Sequence, residues 1–411
     1  MKTIHQAGLT DALVEALLFK TLLGAGHATG RGLASDLGLP AKPIIEMLAS
    51  LKSRQFIHHK DSTAMGDFEY TLTVAGRLRA RTYMDECSYC GKAPVTLEAY
   101  TASVTAQSLT TLRPQQDDLR RAFSDLLINE QMFKRLGPAI NSGRGLFLYG
   151  FPGNGKTSIA ERIADCFGDE VWVPHAIHTG GEIIVFFDPE NHEQADEDKP
   201  GILREAGVDG RWVRIRRPTI ISGGELTMAE LDLVHNPQTR ITEPSLQLKS
   251  NTGILVIDDF GRQRMRPMEL LNRWIVPLEK HYDFLTLSNG KKIKVPFDQL
   301  IIFSTNLEPK ELVDEAFLRR IPYKINVIDP TEEEFRKLFE ITGSIVGVQV
   351  STGAVDYLIE KHYKSADRPF RCCQPRDLLL QVRSACAYTN VPAVATEASL
   401  DDAVENYFAV M

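Results

Sequence analysis

The spacing of apolar residues divides the chain into regions of different periodicity. Helical spacing dominates the N-terminal part up to residue 56, and two short alternating strands follow it as far as residue 73. From residue 145 onward, short apolar runs alternate with amphipathic segments, which is typical of a parallel α/β sheet flanked by helices. Beyond residue 328 only helical patterns remain. The pattern therefore predicts an α/β core between two smaller units.

The order of the N-terminal elements predicts a winged-helix (α+β) domain over residues 1–95. A helix, a helix–turn–helix and a β-wing with a Gly-containing loop follow one another along the chain. A polar, partly helical linker is predicted over 96–125, the α/β core over 126–328 and an all-α unit over 329–411. Within the core, the stretch 190–210 is rich in acids, Pro and Gly and is interpreted as a surface insertion.

The charge of the N-terminal unit does not decide whether it binds a protein or DNA. Residues 1–95 carry 11 Lys and Arg against 9 Asp and Glu, and the second helix of the helix–turn–helix carries Glu46 beside its basic residues. A surface that binds DNA usually has a denser basic face. Binding of a protein is therefore the favoured interpretation, and binding of duplex DNA is the alternative.

The composition of the whole chain is that of an ordinary soluble protein. It has 411 residues, of which 43% are hydrophobic and 25% charged, and its net charge is −7. No apolar run reaches the ~20 residues that span a bilayer, and the N-terminus lacks the apolar block of a signal peptide. Six cysteines are too few for a disulfide framework. We expect a cytoplasmic protein without membrane insertion.

The stretch GFPGNGKTS, residues 150–158, carries the clearest chemical signal. It follows an apolar strand and precedes a helix, so its glycines can curl the backbone until N–H groups point at phosphates. Lys156 would bridge the β and γ phosphates of ATP, and the Thr157 hydroxyl would ligate Mg²⁺. The residues predicted to bind nucleotide here are Gly150, Pro152, Gly153, Asn154, Gly155, Lys156, Thr157 and Ser158.

A second apolar run, ILVIDD, ends in the adjacent carboxylates Asp258 and Asp259. Such a pair needs a cation, and a strand end about a hundred residues after a phosphate loop is a suitable place for Mg²⁺. In that role Asp258 holds the metal through water, and Asp259 orients or deprotonates the attacking water. Asn306 follows a later buried strand and could position the same water. The chain is therefore predicted to hydrolyse ATP with Mg²⁺.

With these motifs the chain resembles the AAA+ ATPases over residues 120–411. The resemblance implies sensor 1 at Asn306, an arginine finger at Arg320 with Arg319 in reserve, and sensor 2 at Arg376, in the first turn of a helix in the C-terminal lid. It also implies a ring, often a hexamer. The finger at the end of the helix predicted over 312–320 would then serve a neighbouring subunit.

A β-hairpin is predicted in DFLTLSNGKKIKVPF, just before Asn306. A hairpin at this place resembles the branch that contains the MoxR-like chaperone ATPases. Its apolar residues lie on one face if Leu287 pairs with Ile293 and Leu285 with Val295, around a three-residue loop that contains Gly290. The alternative is a surface hairpin without function.

Two features depart from the family pattern. Asp259 stands where Glu is usual, and its side chain is shorter by about 1.5 Å, so hydrolysis could be slow and switch-like. The segment 170–250 is longer than in a minimal core, and it should supply a loop for the central pore of a ring. Phe186 and Phe187 are candidates for that loop, although their apolar surroundings favour a buried strand.

Cys87 and Cys90 form a lone CxxC after the N-terminal unit. One such pair is half of a zinc site, which His58, His59 or a second subunit could complete. Free thiols near a domain boundary are the favoured interpretation.

The sequence thus supports three functional hypotheses. The first is a ring-forming ATP hydrolase that remodels or assembles a protein partner of unknown identity. The second is a DNA-associated ATPase that binds duplex DNA through the winged helix. The third is a nucleotide-dependent switch that scarcely turns over.

Overall fold

A computed structural model describes residues 3–62, 67–168, 170–195 and 208–409. The helices are α1 (Asp11–Ala25), α2 (Gly30–Leu37), α3 (Ala41–Ser53), α4 (Val74–Glu86), α5 (Leu97–Ala106), α6 (Gln116–Ala122), α7 (Glu130–Asn141), α8 (Lys156–Ile163), α9 (Leu246–Lys249), α10 (Pro267–Arg273), α11 (Ile275–Lys280), α12 (Pro309–Leu312), α13 (Glu315–Leu318), α14 (Glu332–Val346), α15 (Ala354–Leu358), α16 (Gln374–Thr389) and α17 (Glu397–Phe408). None of these described helices is long and apolar enough to cross a membrane.

The structure also contains nineteen strands in the described residues. They are β1 (His27–Thr29), β2 (Ile57–Ser62), β3 (Phe68–Leu72), β4 (Val95–Thr96), β5 (Leu146–Tyr149), β6 (Glu170–Pro174), β7 (Ala176–Thr179), β8 (Glu182–Val185), β9 (Trp212–Arg216), β10 (Thr219–Ser222), β11 (Val234–Asn236), β12 (Ile241–Glu243), β13 (Ile254–Ile257), β14 (Tyr282–Thr286), β15 (Lys292–Pro296), β16 (Leu300–Thr305), β17 (Tyr323–Asn326), β18 (Gln349–Val350) and β19 (Val394–Ala395).

A parallel sheet in the order β10-β13-β16-β5-β17 forms the core. All residues of β13 and β16 are buried, because α7 and α8 pack on one face of the sheet and α10 on the other. Burial on both faces explains why these strands are continuous apolar runs. The carboxyl ends of the strands meet at one edge, where ligands of open α/β sheets bind. The predicted α/β core is confirmed.

A second sheet is built mostly from the segment 170–250, and β4 joins it at the boundary between the predicted N-terminal domain and the predicted linker. It is mixed, in the order β11-β12-β8-β7-β4, and the antiparallel ribbon β6–β9 packs beside it. Tyr100 and Val104 of α5, which lie in the predicted linker, are buried in the core of this unit. The two residues of β4 are too few to show an alternating pattern. Part of the predicted insertion 190–210 lies outside the described residues.

The N-terminal unit has the elements that the sequence predicts. α1 to α3 are followed by β2 and β3, and β1 completes an antiparallel sheet in the order β1-β3-β2. Helix α4, which the sequence pattern did not predict, follows β3 and packs on α1. The tip of the predicted wing lies outside the described residues. The assignment of this unit as a winged helix therefore stays a proposal, as do the predicted domain boundaries.

The predicted hairpin is present as β14 and β15, but its register differs. Leu285 pairs with Ile293, two positions from the predicted pairing. The loop has three residues, 288 to 290, as expected, and Gly290 has a φ of 79°. Because a shift of two positions keeps each side chain on its face, the predicted apolar residues are still buried together, against the second sheet.

The C-terminal unit is a helical lid with a small strand pair. Helices α14, α15, α16 and α17 enclose a core that includes Phe335, Phe339 and Leu378. The unit is not all-α, because β18 and β19 form a short parallel ladder.

The single helix predicted over 312–320 is two helices, α12 and α13. Asp314 separates them, since its side chain accepts a hydrogen bond from the Phe317 N–H and so caps α13.

Candidate nucleotide-binding site

The loop between β5 and α8 has the backbone of a phosphate-binding loop. Gly150, Gly153 and Gly155 have φ values of 139°, 84° and 79°, which a side chain would strain. At Gly153 a Cβ atom would also lie 2.5 Å from the Cys373 sulfur. Consecutive residues in such conformations can turn their N–H groups into a concavity that binds anions. Pro152 is exposed in this loop, and Ser158 lies in the first turn of α8.

Lys156 connects the loop to the strand that ends at Asn306. Its side chain is 7% exposed, and its Nζ donates to the carbonyl oxygens of Gly150 (3.0 Å) and Phe151 (2.9 Å) and to Asn306 Oδ1 (2.8 Å). Burial lowers the pKa of the ammonium, and the negative charges of Asp258 and Asp259 oppose that shift. The lysine therefore lies where the phosphate loop meets the acidic strand end.

Thr157 and Asp258 supply the oxygen ligands that Mg²⁺ prefers. The Thr157 hydroxyl donates to Asp258 Oδ2 at 3.0 Å, although the two residues come from α8 and from the end of β13. Mg²⁺ is usually held by one or two such oxygens together with phosphates and waters. The pair therefore fits a Mg²⁺ site of the kind that the sequence predicts.

Asp259 has an unusual backbone and a defined partner. Its φ is 48°, in the left-handed region that Asp tolerates better than most residues. Its Oδ1 accepts a hydrogen bond of 3.1 Å from Asn306 Nδ2, and the side chain is exposed. Asn306 thus links Lys156 to Asp259 through its two amide atoms. The side chains predicted to handle the γ-phosphate and water are adjacent at the carboxyl edge of the sheet.

Gln263 fixes the turn that carries the two carboxylates. Its Nε2 donates to the Asp258 carbonyl oxygen at 2.8 Å, and its Oε1 accepts from the Gly261 N–H at 2.8 Å. The sequence motifs do not point to this residue. Its position two residues after Gly261 is a signal in the sequence that could have suggested a turn-stabilising amide.

The lid reaches the phosphate loop through residues 371–373. Arg371 pairs with Asp329, and its guanidinium lies 4.3 Å from the centre of the Phe151 ring. Asn154 donates to Asp329 Oδ1 at 2.6 Å, while the Cys373 N–H donates to the Gly153 carbonyl at 2.8 Å. The positive charge of Arg371 also lowers the pKa of Lys156. These contacts hold the lid against the site.

Arg371 is the arginine of the C-terminal unit that contacts the phosphate loop, and the role of Arg376 stays a prediction. Arg376 is exposed in the first turn of α16, and within the described ranges no hydrogen bond or ion pair joins it to the loop. The sequence favoured Arg376 because it lies in the predicted first helical turn. Arg371 lies in the turn before the helix, where a basic residue alone gives no signal.

Arg319 and Arg320 lie at the opposite edge of the sheet from the phosphate loop. They precede β17, whereas the loop follows β5, and the two strands are parallel neighbours. A four-residue strand rises about 13 Å, so these arginines are at least a strand length from their own loop. They border a cavity of about 450 Å³ together with Arg144 and His281. Arg320 Nε donates to Glu279 Oε1 at 2.7 Å.

Phe186 and Phe187, the candidates for a pore loop, lie in the core of the second sheet. Phe186 is 1% exposed and packs on Tyr100 and His192, which agrees with the buried interpretation and removes it from any pore. Phe187 packs partly buried against the same core.

Cys87 and Cys90 are free thiols, and the described residues place no third zinc ligand beside them. The Cys87 sulfur donates to the Arg240 carbonyl, and the Cys90 sulfur lies 3.7 Å from the Thr21 hydroxyl. His59 instead stacks on Phe68. Within the described part of the chain, no three His, Cys, Asp or Glu side chains are grouped to hold a metal ion.

Comparison with known proteins gives the following similarities. A family model for a domain of unknown function (DUF8689) matches residues 331–406, which is most of the lid. No curated protein matches the chain. The crystal structure of NtrX from Brucella abortus is similar with a TM-score of 0.44 and 14% identity, over 70% of this chain and 58% of that chain. This chain therefore spans less than two thirds of that neighbour.

The Holliday junction branch migration motor RuvB of Thermotoga maritima is also similar. Its TM-score is 0.40 and its identity 14%, over 71% of this chain and 73% of that chain. The geometry of the site is independent of both neighbours. A parallel sheet, a phosphate loop after its fourth strand in spatial order and an acidic strand end beside it make this core an α/β P-loop nucleotide-binding fold.

Proposed function

We propose that the protein is a Mg²⁺-dependent ATP hydrolase of the AAA+ class that acts as a ring, with a hexamer favoured, and remodels or assembles a protein partner. The observation that carries the proposal is the hydrogen-bonded set at the carboxyl edge of the sheet. Thr157 bonds to Asp258, and Asn306 bonds to both Lys156 and Asp259. These are the side-chain types that phosphoryl transfer needs, in one place.

Each side chain has a role that follows from its position. Bound Mg²⁺ supplies charge neutralisation to the transferring phosphoryl group. Lys156 exchanges its carbonyl partners for phosphate oxygens, and Thr157 and Asp258 hold the metal. Asp259, at the exposed rim, accepts a proton from water, while the Asn306 amide holds the carboxylate in position. Arg371 is close enough to the loop to bind a phosphate once it exchanges Asp329 for it.

The placement of the two adjacent arginines supports a ring. Arg319 and Arg320 lie about a strand length from their own phosphate loop, so in the proposed role they act at the site of another subunit. A contact between the amino edge of the sheet in one copy and the carboxyl edge in the next copy is heterologous. Repeated contacts of this kind close into a ring when the rotation between neighbouring copies permits it. Arg144 borders the same cavity and would add a third positive charge. An arginine supplied in this way stabilises the charge of the transition state.

The proposal is tested by nucleotide binding and phosphate release. Lys156→Ala should lose ATP binding, and Asp258→Asn should lose hydrolysis that depends on Mg²⁺. Lys134→Ala is the matched control, because Lys134 is exposed on α7 and should behave as wild type. If wild type releases no more phosphate than Lys156→Ala, the enzymatic part of the proposal is wrong.

Binding of duplex DNA by the N-terminal unit is a second candidate. The exposed arginines Arg77, Arg79 and Arg81 on α4 favour it, because α4 carries three basic side chains whereas α3 carries two. Binding should then weaken steeply with salt. The triple substitution to alanine should abolish it. An absence of binding at 50 mM salt, about the low end of the usual range, would exclude this candidate.

A further inference from the structure

A cleft of about 680 Å³ separates the N-terminal unit from the second sheet. Helix α1 and the end of α4 form one side, and the β7–β8 turn, β11 and the hairpin loop form the other. Apolar side chains, including Leu13 and Ile183, line part of its walls. The nucleotide site has no residue in this cleft, so its chemistry is separate from ATP hydrolysis.

Glu182 is the buried acid of the cleft. Its side chain is 10% exposed, and its two carboxylate oxygens accept hydrogen bonds from the hydroxyls of Ser288 (2.7 Å) and Thr242 (2.9 Å). Burial acts to raise the pKa of this carboxyl. The bonds from the two hydroxyls, together with the Asn289 N–H and His235, outweigh it and lower the pKa. Glu182 is therefore a carboxylate at neutral pH.

The basic partner of Glu182 is a histidine at the limit of ion-pair distance, since His235 Nδ1 is 3.9 Å away. Among the residues that the structure describes, no Lys or Arg lies within ion-pair distance of it. Lys20 also lines the cleft, but its Nζ donates to the Cys87 carbonyl at 3.0 Å. The backbone of Arg240 likewise lies at the Cys87 end, where its carbonyl oxygen accepts from the Cys87 thiol. Hydrogen bonds from neutral donors leave the negative charge of Glu182 in the cleft, so a cation that enters the cleft can pair with it.

We propose that this cleft binds an extended segment of a partner polypeptide and that Glu182 receives a Lys or Arg side chain of that segment. The apolar walls suit the methylene groups of such a side chain, whose charged end then reaches the carboxylate. β11 is the edge strand of its sheet, and an edge can pair with an added strand. The proposal rests on the proposed function only in taking a protein as the partner.

The test uses simple cations as probes of the full-length protein. n-Butylammonium and n-butylguanidinium imitate the two side chains, n-butanol is the neutral control, and the ¹³C-methyl signal of Ile183 reports occupancy of the cleft. Wild type and Glu243→Gln, an exposed acid on β12 of the same sheet, should show a saturable shift with both cations. Glu182→Gln should bind them at least tenfold more weakly, which is about 1.4 kcal/mol. n-Butanol should give no saturable shift.

A second variant tests the proposal independently, in case Glu182→Gln does not fold. His235→Lys places a cation beside Glu182 and should exclude the probes while leaving the carboxylate in place. The proposal is overturned if no cation gives a saturable shift in wild type or if Glu182→Gln binds as wild type does. Lys156→Ala should keep probe binding, so a failure of the cleft is distinguishable from a failure of ATP hydrolysis.

Binding of a peptide decides whether the cation that the cleft binds belongs to a polypeptide or to a small amine. A fluorescein-labelled, alanine-rich peptide of nine residues with one central lysine should bind more tightly than n-butylammonium, and the same peptide with norleucine should not. Equal affinity for the lysine peptide and n-butylammonium would overturn the polypeptide assignment and leave a site for small amines.

Discussion

Asp259 shows how one backbone angle can compensate for a short side chain. The side chain of Asp is about 1.5 Å shorter than that of Glu. A catalytic group that is misplaced by such a distance lowers the reaction rate steeply. In the structure the φ of 48° at Asp259 directs its carboxylate to Asn306, which holds it at 3.1 Å. The contact positions the group that the sequence left in doubt, so we expect turnover rather than a nucleotide switch.

Replacing the charge of Asp259 tests this directly. Asp259→Asn keeps the tolerance for a left-handed backbone but removes the proton acceptor. We expect kcat for phosphate release to fall by about 10²- to 10⁴-fold, with KM for ATP nearly unchanged. If wild type and the variant bind ATP and are equally inert, the protein is a nucleotide-dependent switch instead of an enzyme.

The two lid arginines should differ in their effect on ATP affinity. Arg371 lies over Phe151 of the phosphate loop, whereas Arg376 is exposed on α16. Arg371→Ala should weaken ATP binding about tenfold or more, as expected when a charged hydrogen bond to phosphate is lost. Arg376→Ala should bind ATP as wild type does. Titration with a fluorescent ATP analogue measures both, and the reverse order of effects would restore Arg376 as the phosphate sensor.

At the scale of elements, the hairpin joins two parts of the molecule. Its loop contacts the second sheet, since Asn289 donates to the Gly180 carbonyl at 3.1 Å and Ser288 to Glu182. Its second strand, β15, continues after three residues into β16, which ends beside Asn306. The hairpin is therefore a structural part of the core that connects the cleft to the nucleotide site. Truncation of side chains on its two faces tests how firmly the hairpin is anchored on the second sheet.

The two faces of β14 should respond differently to truncation. Leu285 is fully buried against the second sheet, while Phe284 on the other face is 50% exposed. Leu285→Ala should lower the free energy of unfolding by about 2–5 kcal/mol, and Phe284→Ala by less than about 1 kcal/mol. Urea unfolding followed by the fluorescence of Trp172 and Trp212, which lie in the adjacent ribbon, measures the effect. Equal losses would show that the hairpin is not anchored on this sheet.

At the scale of the whole molecule, the sheet separates the candidate nucleotide site from the proposed arginine finger. Lys156 and Asp259 lie at its carboxyl edge, and Arg320 lies at its amino edge. Arg320→Ala should therefore bind ATP normally and hydrolyse it slowly. Mixed with Asp259→Asn, which has an intact arginine, it should regain activity, because some hybrid interfaces combine a complete site with a complete finger.

Phosphate release across a series of mixing ratios measures this complementation. Mixtures that are no more active than the sum of the separate variants would contradict the shared site. Arg135→Ala, an exposed arginine on α7, is the matched control and should keep full activity in every mixture.

Local signals were sufficient to predict the parallel core and to indicate the candidate nucleotide site. The loop glycines, Lys156 and Thr157 are fixed by a short contiguous pattern, and the apolar runs that end at Asp258 and Asn306 follow from burial on both faces of a parallel sheet. Each of these features depends on neighbours in sequence or on one repeating period. The order of residues along the chain was therefore enough to predict them.

Contacts between distant segments were decided only by the tertiary structure. The second sheet is built from strands of two to four residues, too short for a period to appear, and the hairpin register depends on the surface against which it packs. Arg371 reaches the phosphate loop, and Glu182 lies opposite α1, because the chain folds back across more than 150 residues. The sequence by itself determined the chemistry of the phosphate loop and the strand ends; the packing of distant elements decided which arginine and which acid are placed to act.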